Sequence, residues 1–582
     1  MADTLQSASI AAPGFYGLNT QESGITLESG FALQATNCVI DKFGRLGARK
    51  GWAFLDEVTS SNLKGMHRFV DIDATEYFGA WSATGFYIYS GGTLSAVTYS
   101  GSQSITAGNW QAVTLNDKAF LFQAGYEPLF FDTVSGQVKD ISQALSTATV
   151  TITSSSTTAT VTHTAHGFVT GSSVTISGAN EAVFNGTFTI TVTSTDTYTY
   201  TLSNSNSNNP ATGTITASWY HDTPPEANVA LSAYGRLWVA NTATNKTTLY
   251  WSDLLDGTDW SSGTAGSLDI SGILVYGNDE IVGLGAHNGF LIVFCKQNII
   301  IFDDSGTSQE YLDPTTLRLV EVISGVGCIA RDSIQNTGTD ILFLSESGLR
   351  SLGRVIQEKS TPMRDLSKNV RDDLVQLIES ETPANIKSAY SESNAFYLLS
   401  FPTTKQVYCF DMRAPLQDGS ARVTIWNNME FTDWLGFDGE LYMTHADGLA
   451  RYIGYQDNGS SYRMVYFTNY FDLGTASQTK ILKRLSMTVI GATGQDFVVK
   501  SGFDYSDQYN SYPLTVRTGT VYEYNIAEYN IGEYSGGTLV DTVRAPGSGS
   551  GSVLQLGFEA DLNGGALSIQ KMDVYVKQGR TI

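Results

Sequence analysis

The feature that most constrains the fold is a strand–turn–strand unit that recurs seven times along the chain. Each unit has an apolar strand, a turn with Gly, Asn or Asp, and a second apolar strand, as in NGFLIVFCKQNIIIFDDSG at 288–306. The other units lie at 77–94, 118–132, 234–253, 339–353, 394–411 and 438–455. Apolar runs bounded by such turns are typical of antiparallel hairpins. The pattern therefore predicts an all-β protein.

The spacing of these hairpins leaves two architectures open. Many of the connecting segments are long enough to complete a four-stranded sheet, and antiparallel units of roughly 40 to 50 residues around an axis form a β-propeller. An array of β-sandwiches is the alternative, because hairpins alone do not fix closure. The 57 Gly against 12 Pro and the 12% aromatic residues suit many short strands. We predict the propeller.

A Thr/Ser-rich block at residues 146–218 interrupts the hairpins. No Lys or Arg occurs between Lys139 and Arg236. In FNGTFTITV and TYTYTL every second residue is apolar or aromatic, which is the period of a strand buried on one face. We predict a small inserted β-domain, which serves either as an interaction or decoration domain or as a passive spacer.

The remaining chain divides into three parts. Residues 1–145 hold an N-terminal segment and the first blades, and residues 219–460 hold the other blades. The sequence pattern changes near residue 460. Apolar and polar residues alternate in LSIQKMDVYVK, which predicts a β-sandwich-like domain over 461–582. One short helix is expected near 363–380, because Leu366, Val370, Leu374 and Leu377 share a helical face.

The charge of the chain and its targeting signals exclude some classes of function. The chain has 34 basic and 57 acidic residues, a formal net charge of −23, which argues against a sequence-reading nucleic-acid binder. DNA could still move past such a protein, because a surface with few Lys and Arg residues makes few contacts with phosphates. The sequence lacks a signal peptide and an apolar run of about 18 residues. We expect synthesis in a host cytoplasm and a soluble protein.

Few residues point to catalysis or metal binding. The four cysteines are far apart and two lie in apolar runs, which predicts buried free thiols. Asp256, Gly257, Thr258 and Trp260 look like the Asp-box turn of sialidase-type propellers, a turn that is structural even in those enzymes. The catalytic residues of that class cannot be placed here. We expect no enzyme activity, metal or cofactor.

Two features are candidates for a subunit or partner interface. The repeat EYNIAEYNIGEY places three tyrosines in a short array, and tyrosines suit interfaces; an ordinary aromatic-rich loop is the alternative. A local set of cations in an acidic chain suggests docking onto an acidic surface; a solvated strand face is the alternative. The candidate residues are Tyr524, Tyr529, Tyr534, Lys480, Lys483, Arg484, Lys571, Lys577 and Arg580.

Several segments, in this order along the chain, resemble one protein family. They are the N-terminal GFYGLNTQESGITLESGFALQATNCVIDKFGRLGARKGW, the central GCIARDSIQNTGTDILFLSESGLRSL, and the C-terminal FDLGTASQTKILKRL and SIQKMDVYVKQGR. In the first segment the matching residues are Gly17, Leu18, Asn19, Asn37, Gly44, Arg49 and Gly51. The chain is similar to the tail nozzle proteins of short-tailed bacteriophages, also called the tail tubular protein B or phage stabilisation protein group.

The resemblance implies a structural virion protein without a reaction. Six copies would form a ring at the distal end of the tail, docked on an adaptor beneath the portal and surrounded by fibres or spikes. Double-stranded DNA would be held back by the lumen and then pass through it without sequence-specific binding, and the tip would contact the host cell surface. A receptor- or glycan-binding propeller at the tail tip is the alternative.

Overall fold

The chain consists mostly of β-strands. A computed structural model describes residues 5–205, 209–220, 224–261, 263–274, 279–304, 312–353, 366–473, 477–491, 495–516 and 540–581. An α-helix spans Arg371–Ser380. Short 3-10 turns lie at Ile141–Gln143, Ala182–Phe184, Pro314–Thr316, Arg331–Ser333, Lys368–Val370 and Pro383–Asn385. Among the described residues, no helix has the length and apolar character needed to cross a membrane.

Seven small antiparallel units follow one another within the described residues, and we number them blades 1 to 7. Blade 1 comprises Gly65–Val70, Glu76–Trp81, Phe86–Ser90 and Thr93–Val97, and blade 2 comprises Gln111–Leu115, Lys118–Phe122, Leu129–Asp132 and Gln137–Asp140. Blade 3 comprises Ala227–Ala233, Arg236–Thr242, Thr248–Trp251 and Gly266–Asp269, and blade 4 comprises Ile281–His287, Phe290–Cys295, Asn298–Asp304 and Leu317–Ser324.

The last three blades follow the same plan. Blade 5 has the described strands Gln335–Asn336, Ile341–Ser345 and Gly348–Ser351, and blade 6 comprises Lys387–Ser391, Phe396–Phe401, Gln406–Asp411 and Arg422–Asn427. Blade 7 comprises Asp433–Phe437, Glu440–His445 and Gly448–Tyr452, with Trp52–Glu57 as its fourth strand. The seven hairpins predicted from sequence supply the second and third strands of the seven blades.

The blades close into a ring. The first strand of each blade contacts the first strand of the next, from blade 1 round to blade 7 and back to blade 1, with the turn Arg331–Ser333 making the contact between blades 4 and 5. The ring is closed by Trp52–Glu57, which pairs antiparallel with Gly448–Tyr452. The predicted β-propeller is therefore confirmed, and the array of sandwiches is excluded.

The apolar runs in the sequence arise because each blade packs between two neighbours. In blade 4, Leu291 and Val293 are buried against blade 3, whereas Ile292 and Phe294 are buried against blade 5. Since both faces of the strand are covered, its residues are apolar in succession rather than in alternation. Similar buried clusters join the other neighbouring blades, and the one between blades 5 and 6 is continuous with the core of the terminal domain.

The predicted inserted domain is present as a two-sheet sandwich, which we call the insert. One sheet contains Leu145–Thr149, Gly213–Tyr220, Ser173–Ala179 and Gly186–Thr189, and the other contains Thr151–Ser155, Thr158–Thr162, Thr197–Thr201 and Thr191–Ser194. The alternating residues fill the space between the sheets, with Ile152, Val161 and Tyr198 fully buried. The insert occupies the connection between blades 2 and 3.

The terminal β-domain is built from both ends of the chain. Its first sheet contains Leu5–Ala11, Cys38–Ile40, Leu46–Ala48, Gln478–Gly491, Val540–Pro546, Ser550–Gly551 and Leu567–Thr581. Its second sheet contains Gly17–Leu18, Phe31–Thr36, Tyr462–Phe471, Leu554–Leu562, Asp496–Phe503 and Asn510–Thr515. The two sheets enclose one large apolar core. The sequence did not indicate that the N-terminal strands belong to this sandwich.

The second sheet of the terminal domain continues into the propeller. Gly17 and Thr36 pair in parallel with Val423 and Ile425 of blade 6, which makes one ten-stranded sheet. Helix Arg371–Ser380 packs beside this junction, with Leu374 buried in the same core. The propeller and the terminal domain are thus joined by main-chain hydrogen bonds rather than by a linker.

Candidate functional site

Arg49 lies at the centre of the junction between the propeller and the terminal domain, and its side chain is fully buried. Its Nη1 and Nη2 donate to the two carboxylate oxygens of Asp457 at 2.8 and 2.7 Å. Its Nε donates to Asn37 Oδ1 at 3.0 Å, and its guanidinium lies 4.0 Å from the centre of the Tyr462 ring. Two-point pairing and ring stacking are the geometries to which Arg is suited.

The partners of Arg49 belong to different parts of the fold. Asp457 follows blade 7, whereas Tyr462 begins a strand of the terminal domain. Asn37 Nδ2 donates to the carbonyl of Arg463 at 2.8 Å, and Asn37 Oδ1 accepts from the backbone N–H of Asn427 in blade 6 at 2.9 Å. We call Asn37, Arg49 and Asp457 the junction cluster. It ties the N-terminal segment, the propeller and the terminal domain together.

Gly51 is part of the same junction for a steric reason. A Cβ at this position would lie 1.9 Å from the carbonyl oxygen of Gln456, so a side chain cannot be accommodated without moving the backbone. Three residues that carry the family resemblance, Asn37, Arg49 and Gly51, therefore share one structural task at the junction.

The outward face of the terminal domain's first sheet carries a group of cations. In the strand Leu567–Thr581, Met572, Val574 and Val576 are buried, so the residues between them point outward. We call the outward group the basic face; its cations are Lys571, Lys577, Arg484 and Arg544, arranged around Tyr575. Arg484 and Arg544 are exposed. The acid Asp573 lies among them.

The predicted interface cations have different positions. Lys483 and Arg484 are exposed, and Lys577 is half-buried. Lys480 is buried, and its Nζ donates to the carbonyl of Ser552 at 2.7 Å. Lys480 therefore lies apart from the outward cations, and its interface role stays a prediction. Arg544 belongs to the basic face although it was not predicted; the alternating apolar residues on either side of it were the available signal.

The side chains of four predicted interface residues lie outside the part of the chain that the structure describes. Tyr524, Tyr529 and Tyr534 lie outside the described residues. Arg580 lies within the described strand Leu567–Thr581, whose side chains are described only as far as residue 579. Their interface role stays a prediction.

A polar cluster, which we call the axial cluster, lies across the propeller axis where the first strands begin. Arg331 donates through Nη1 to the carbonyl of Asn228 at 2.7 Å and through Nη2 to Asn109 Oδ1 at 3.2 Å. Its Nε lies 2.7 Å from one oxygen of Asp332, and Lys387 Nζ lies 2.5 Å from the other. These residues belong to blades 2, 3, 5 and 6 or to the turns that lead into them. Charge-assisted hydrogen bonds of this kind are comparatively strong, so the axial cluster ties the blades together.

The two acids at the axis have opposite pKa shifts. Burial raises the pKa of Asp332, but the charges of Arg331 and Lys387 outweigh it and hold that pKa well below its usual range. For Asp433, burial raises the pKa to about 6, and the opposing charge of Lys387 only partly offsets this. Asp433 also accepts the backbone N–H of Met66 in blade 1 at 3.2 Å.

A cavity of about 340 Å³ lies beside the axial cluster. Its polar lining comes from Lys64, Asn109, Asn385, Lys387 and Thr432. Because antiparallel strands alternate in direction, the connections that leave the fourth strands of the four-stranded blades lie on the face where the first strands begin. The insert, which is one of these connections, therefore projects from the same face as the cavity.

The Asp-box-like turn is a packed structural turn. Thr258 donates through N and Oγ1 to Asp256 Oδ1 at 2.8 and 2.6 Å. Trp260 Nε1 donates to the carbonyl of Gly257 at 2.9 Å, and its ring packs edge-on against Phe122 of blade 2. The polar atoms thus stabilise the turn itself, and the Trp260 ring packs the turn against blade 2.

The cysteines are free and buried, as predicted: Cys38, Cys295, Cys328 and Cys409. Burial raises the pKa of the Cys328 thiol to about 11, which keeps it protonated at neutral pH. In the described part of the chain, no three His, Cys, Asp or Glu side chains are grouped so that they could hold a metal ion.

Comparison with solved structures gives distant likenesses. No known family profile matches the chain, and no curated protein matches it. The phage phi92 endosialidase is 13% identical with a TM-score of 0.27, covering 72% of this chain and 68% of the endosialidase. An inactive virginiamycin B lyase from Staphylococcus aureus with quinupristin is 8% identical with a TM-score of 0.32, covering 69% of this chain and 98% of the lyase. At these scores neither likeness bears on function.

Proposed function

We propose that this chain is a structural virion protein that assembles as a ring of six copies and forms the distal nozzle of a short phage tail. The observation that carries the proposal is the junction cluster. Asn37, Arg49 and Gly51, which resemble the nozzle proteins, meet at the point where the terminal domain is fixed to the propeller. The role is mechanical, without a reaction.

A tube wall requires subunits of fixed shape. A ring closes only if every copy presents its two contact surfaces at the same angle. Here the ten-stranded sheet and the buried pair of Arg49 and Asp457 hold the two domains in one orientation. The geometry supports a subunit that transmits force without bending between its domains.

The proposed conduit lies between copies and not within one copy. The axial cluster of Arg331, Asp332 and Lys387 crosses the axis of each propeller, so DNA would pass through the centre of the ring. The net charge of −23 would repel the duplex and limit phosphate contacts that release counterions. The adaptor below the portal and the surrounding fibres or spikes are the expected partners.

The cavity beside the axial cluster favours the alternative role. Lys64, Asn109 and Asn385 present an ammonium group and two amides around a space of about 340 Å³. Such groups suit the hydroxyls and carboxylate of a saccharide. A receptor- or glycan-binding propeller at the tail tip would use this face, next to the insert.

Electron microscopy of the purified protein and of the virion tests the proposal. We expect a hollow six-fold ring with a hole wide enough for duplex DNA, and labelling by a specific antibody at the distal end of the tail. A uniform monomer that binds an oligosaccharide in a glycan array, and loses this binding in the Lys64→Ala variant, would support the alternative instead.

A further inference from the structure

The basic face has the opposite charge to most of the chain. The whole sequence has 57 acidic and 34 basic residues. On the basic face, Arg484, Arg544, Lys571 and Lys577 surround the acid Asp573. A local excess of cations on an acidic protein is a complementary surface for a second copy of the same protein.

Two cations of the basic face, Arg484 and Lys571, are held by contacts within the sheet. Arg484 pairs with Tyr575 across the strands, and its guanidinium lies 4.1 Å from the centre of that ring. Lys571 Nζ lies 2.9 Å from Asp573 Oδ1. Side chains that are already ordered lose less conformational entropy when a partner binds.

The face also has the composition of an interface. Tyr575 and Arg484 belong to the residue types enriched in protein interfaces. Leu5, which pairs with Lys577 at the edge of this face, is 56% exposed. The neighbouring strands carry small polar residues, Ser9 and Thr542, so no large side chain from them covers the basic face.

We propose that the basic face is the surface through which one copy in the ring docks onto the acidic surface of the next copy. This inference rests on the proposed function, since it names one side of the ring contact. A ring of identical copies needs two different complementary surfaces on each copy. The basic face is one of them, and the acidic body supplies the other.

Duplex DNA fits this face less well. The acidic body would repel phosphates within a Debye length of about 8 Å at physiological salt. DNA binding is therefore the competing outcome of the test.

A double charge reversal, Arg544→Glu with Lys577→Glu, tests the proposal. The matched control is Lys296→Glu with Arg318→Glu on blade 4, where both cations are exposed and the change in net charge is equal. Ring formation is measured by sedimentation velocity over a range of protein and salt concentrations. We expect about tenfold weaker assembly for the basic-face variant, weakening of wild-type assembly by salt, and no comparable loss in the control.

Further measurements separate the possible outcomes. Far-UV circular dichroism verifies that each variant is folded. If the charge-reversed variant does not fold, Arg544→Gln with Lys577→Gln removes the two positive charges without adding negative ones. Unchanged rings in the basic-face variants would overturn this inference and leave the proposed function intact. A wild-type chain that stays monomeric throughout would overturn the proposed function itself. Rings that persist while duplex DNA binding is lost would assign the face to DNA and overturn the docking proposal.

Discussion

Arg49 and Asp457 form a two-point ion pair between residues that are 408 positions apart in the sequence. Arg49 is fully buried and Asp457 nearly so. The pair lies where the N-terminal segment crosses from the terminal domain to blade 7. It therefore holds together the two ends of the chain and the closure of the propeller.

Replacing Arg49 by Met should strongly destabilise the fold. The change leaves the largely buried carboxylate of Asp457 without its main partner. Breaking a buried ion pair in this way costs about 3–5 kcal/mol in other proteins. Urea unfolding measures the loss. Lys405→Met is the control, because its pair with Glu430 is about half exposed and should contribute no more than about 1 kcal/mol. Equal losses in the two variants would contradict the role of the junction cluster.

Gly51→Ala should destabilise the same junction through a steric clash. The added methyl group would lie 1.9 Å from the Gln456 carbonyl oxygen, and overpacking of this kind costs about 1–3 kcal/mol or more. Gly272→Ala is the matched control, since a Cβ there meets nothing within 4 Å. The two midpoints of thermal unfolding should differ clearly, and a shift as small as that of the control would refute the clash.

Local pattern predicted the blades but not which strand closes the ring. The apolar runs at 288–306 and in the other hairpins gave the middle strands directly, because burial on both faces leaves a local signal. The pairing of Trp52–Glu57 with Gly448–Tyr452 leaves no such signal, since its partners are far apart in sequence. The contribution of Leu5–Ala11 to the terminal sandwich could not be predicted either, because the strand with which it pairs is also far away in the sequence.

A bulge separates Lys480 from the outward cations that lie near it in the sequence. The pairing of Gln478–Gly491 with Leu567–Thr581 shifts register between Leu482 and Arg484. Before the shift Lys480 and Leu482 face inward, and after it Leu485 does. A bulge inserts one residue and moves the inward face from even to odd positions. Counting alternate residues along the sequence could not reveal this change.

The four cysteines should be unreactive in the native protein. Each thiol is buried, and burial raises the pKa of Cys328 to about 11, so the reactive thiolate is scarce at neutral pH. Titration with a thiol reagent at pH 8 should detect no fast-reacting group in the folded chain and all four after denaturation. A thiol that reacts within seconds under native conditions would show an opening that the fold does not contain.

Stability should depend on pH through Asp433. Its pKa is about 6 in the folded protein against 3.8 normally, so between these values the folded state holds a proton that the unfolded chain has lost. The resulting stabilisation is complete below about pH 4 and is lost as the pH rises through 6. Relative to Asp433→Asn, the wild-type free energy of unfolding should fall by up to about 3 kcal/mol from pH 4 to 7. Parallel pH profiles from denaturant titrations would contradict this shift.

Removal of the insert should leave the rest of the molecule folded. Leu145 and Tyr220 are paired across antiparallel strands, so their Cα atoms lie within about 5.5 Å and a two-residue Asn-Gly turn can replace residues 146–219. The apolar core of the insert contains only its own residues. Thermal unfolding of the shortened chain should therefore change by only a few degrees.

The same shortened chain separates the role of the insert from that of the basic face. The basic face belongs to the terminal domain, so ring formation should persist when the insert is absent, and electron micrographs should show smaller projections on one face of the ring. The insert faces the side of the axial cavity, so any saccharide binding that depends on it would be lost. Loss of the ring would instead place the insert in the contact between copies, because its removal leaves the charges of the terminal domain unchanged.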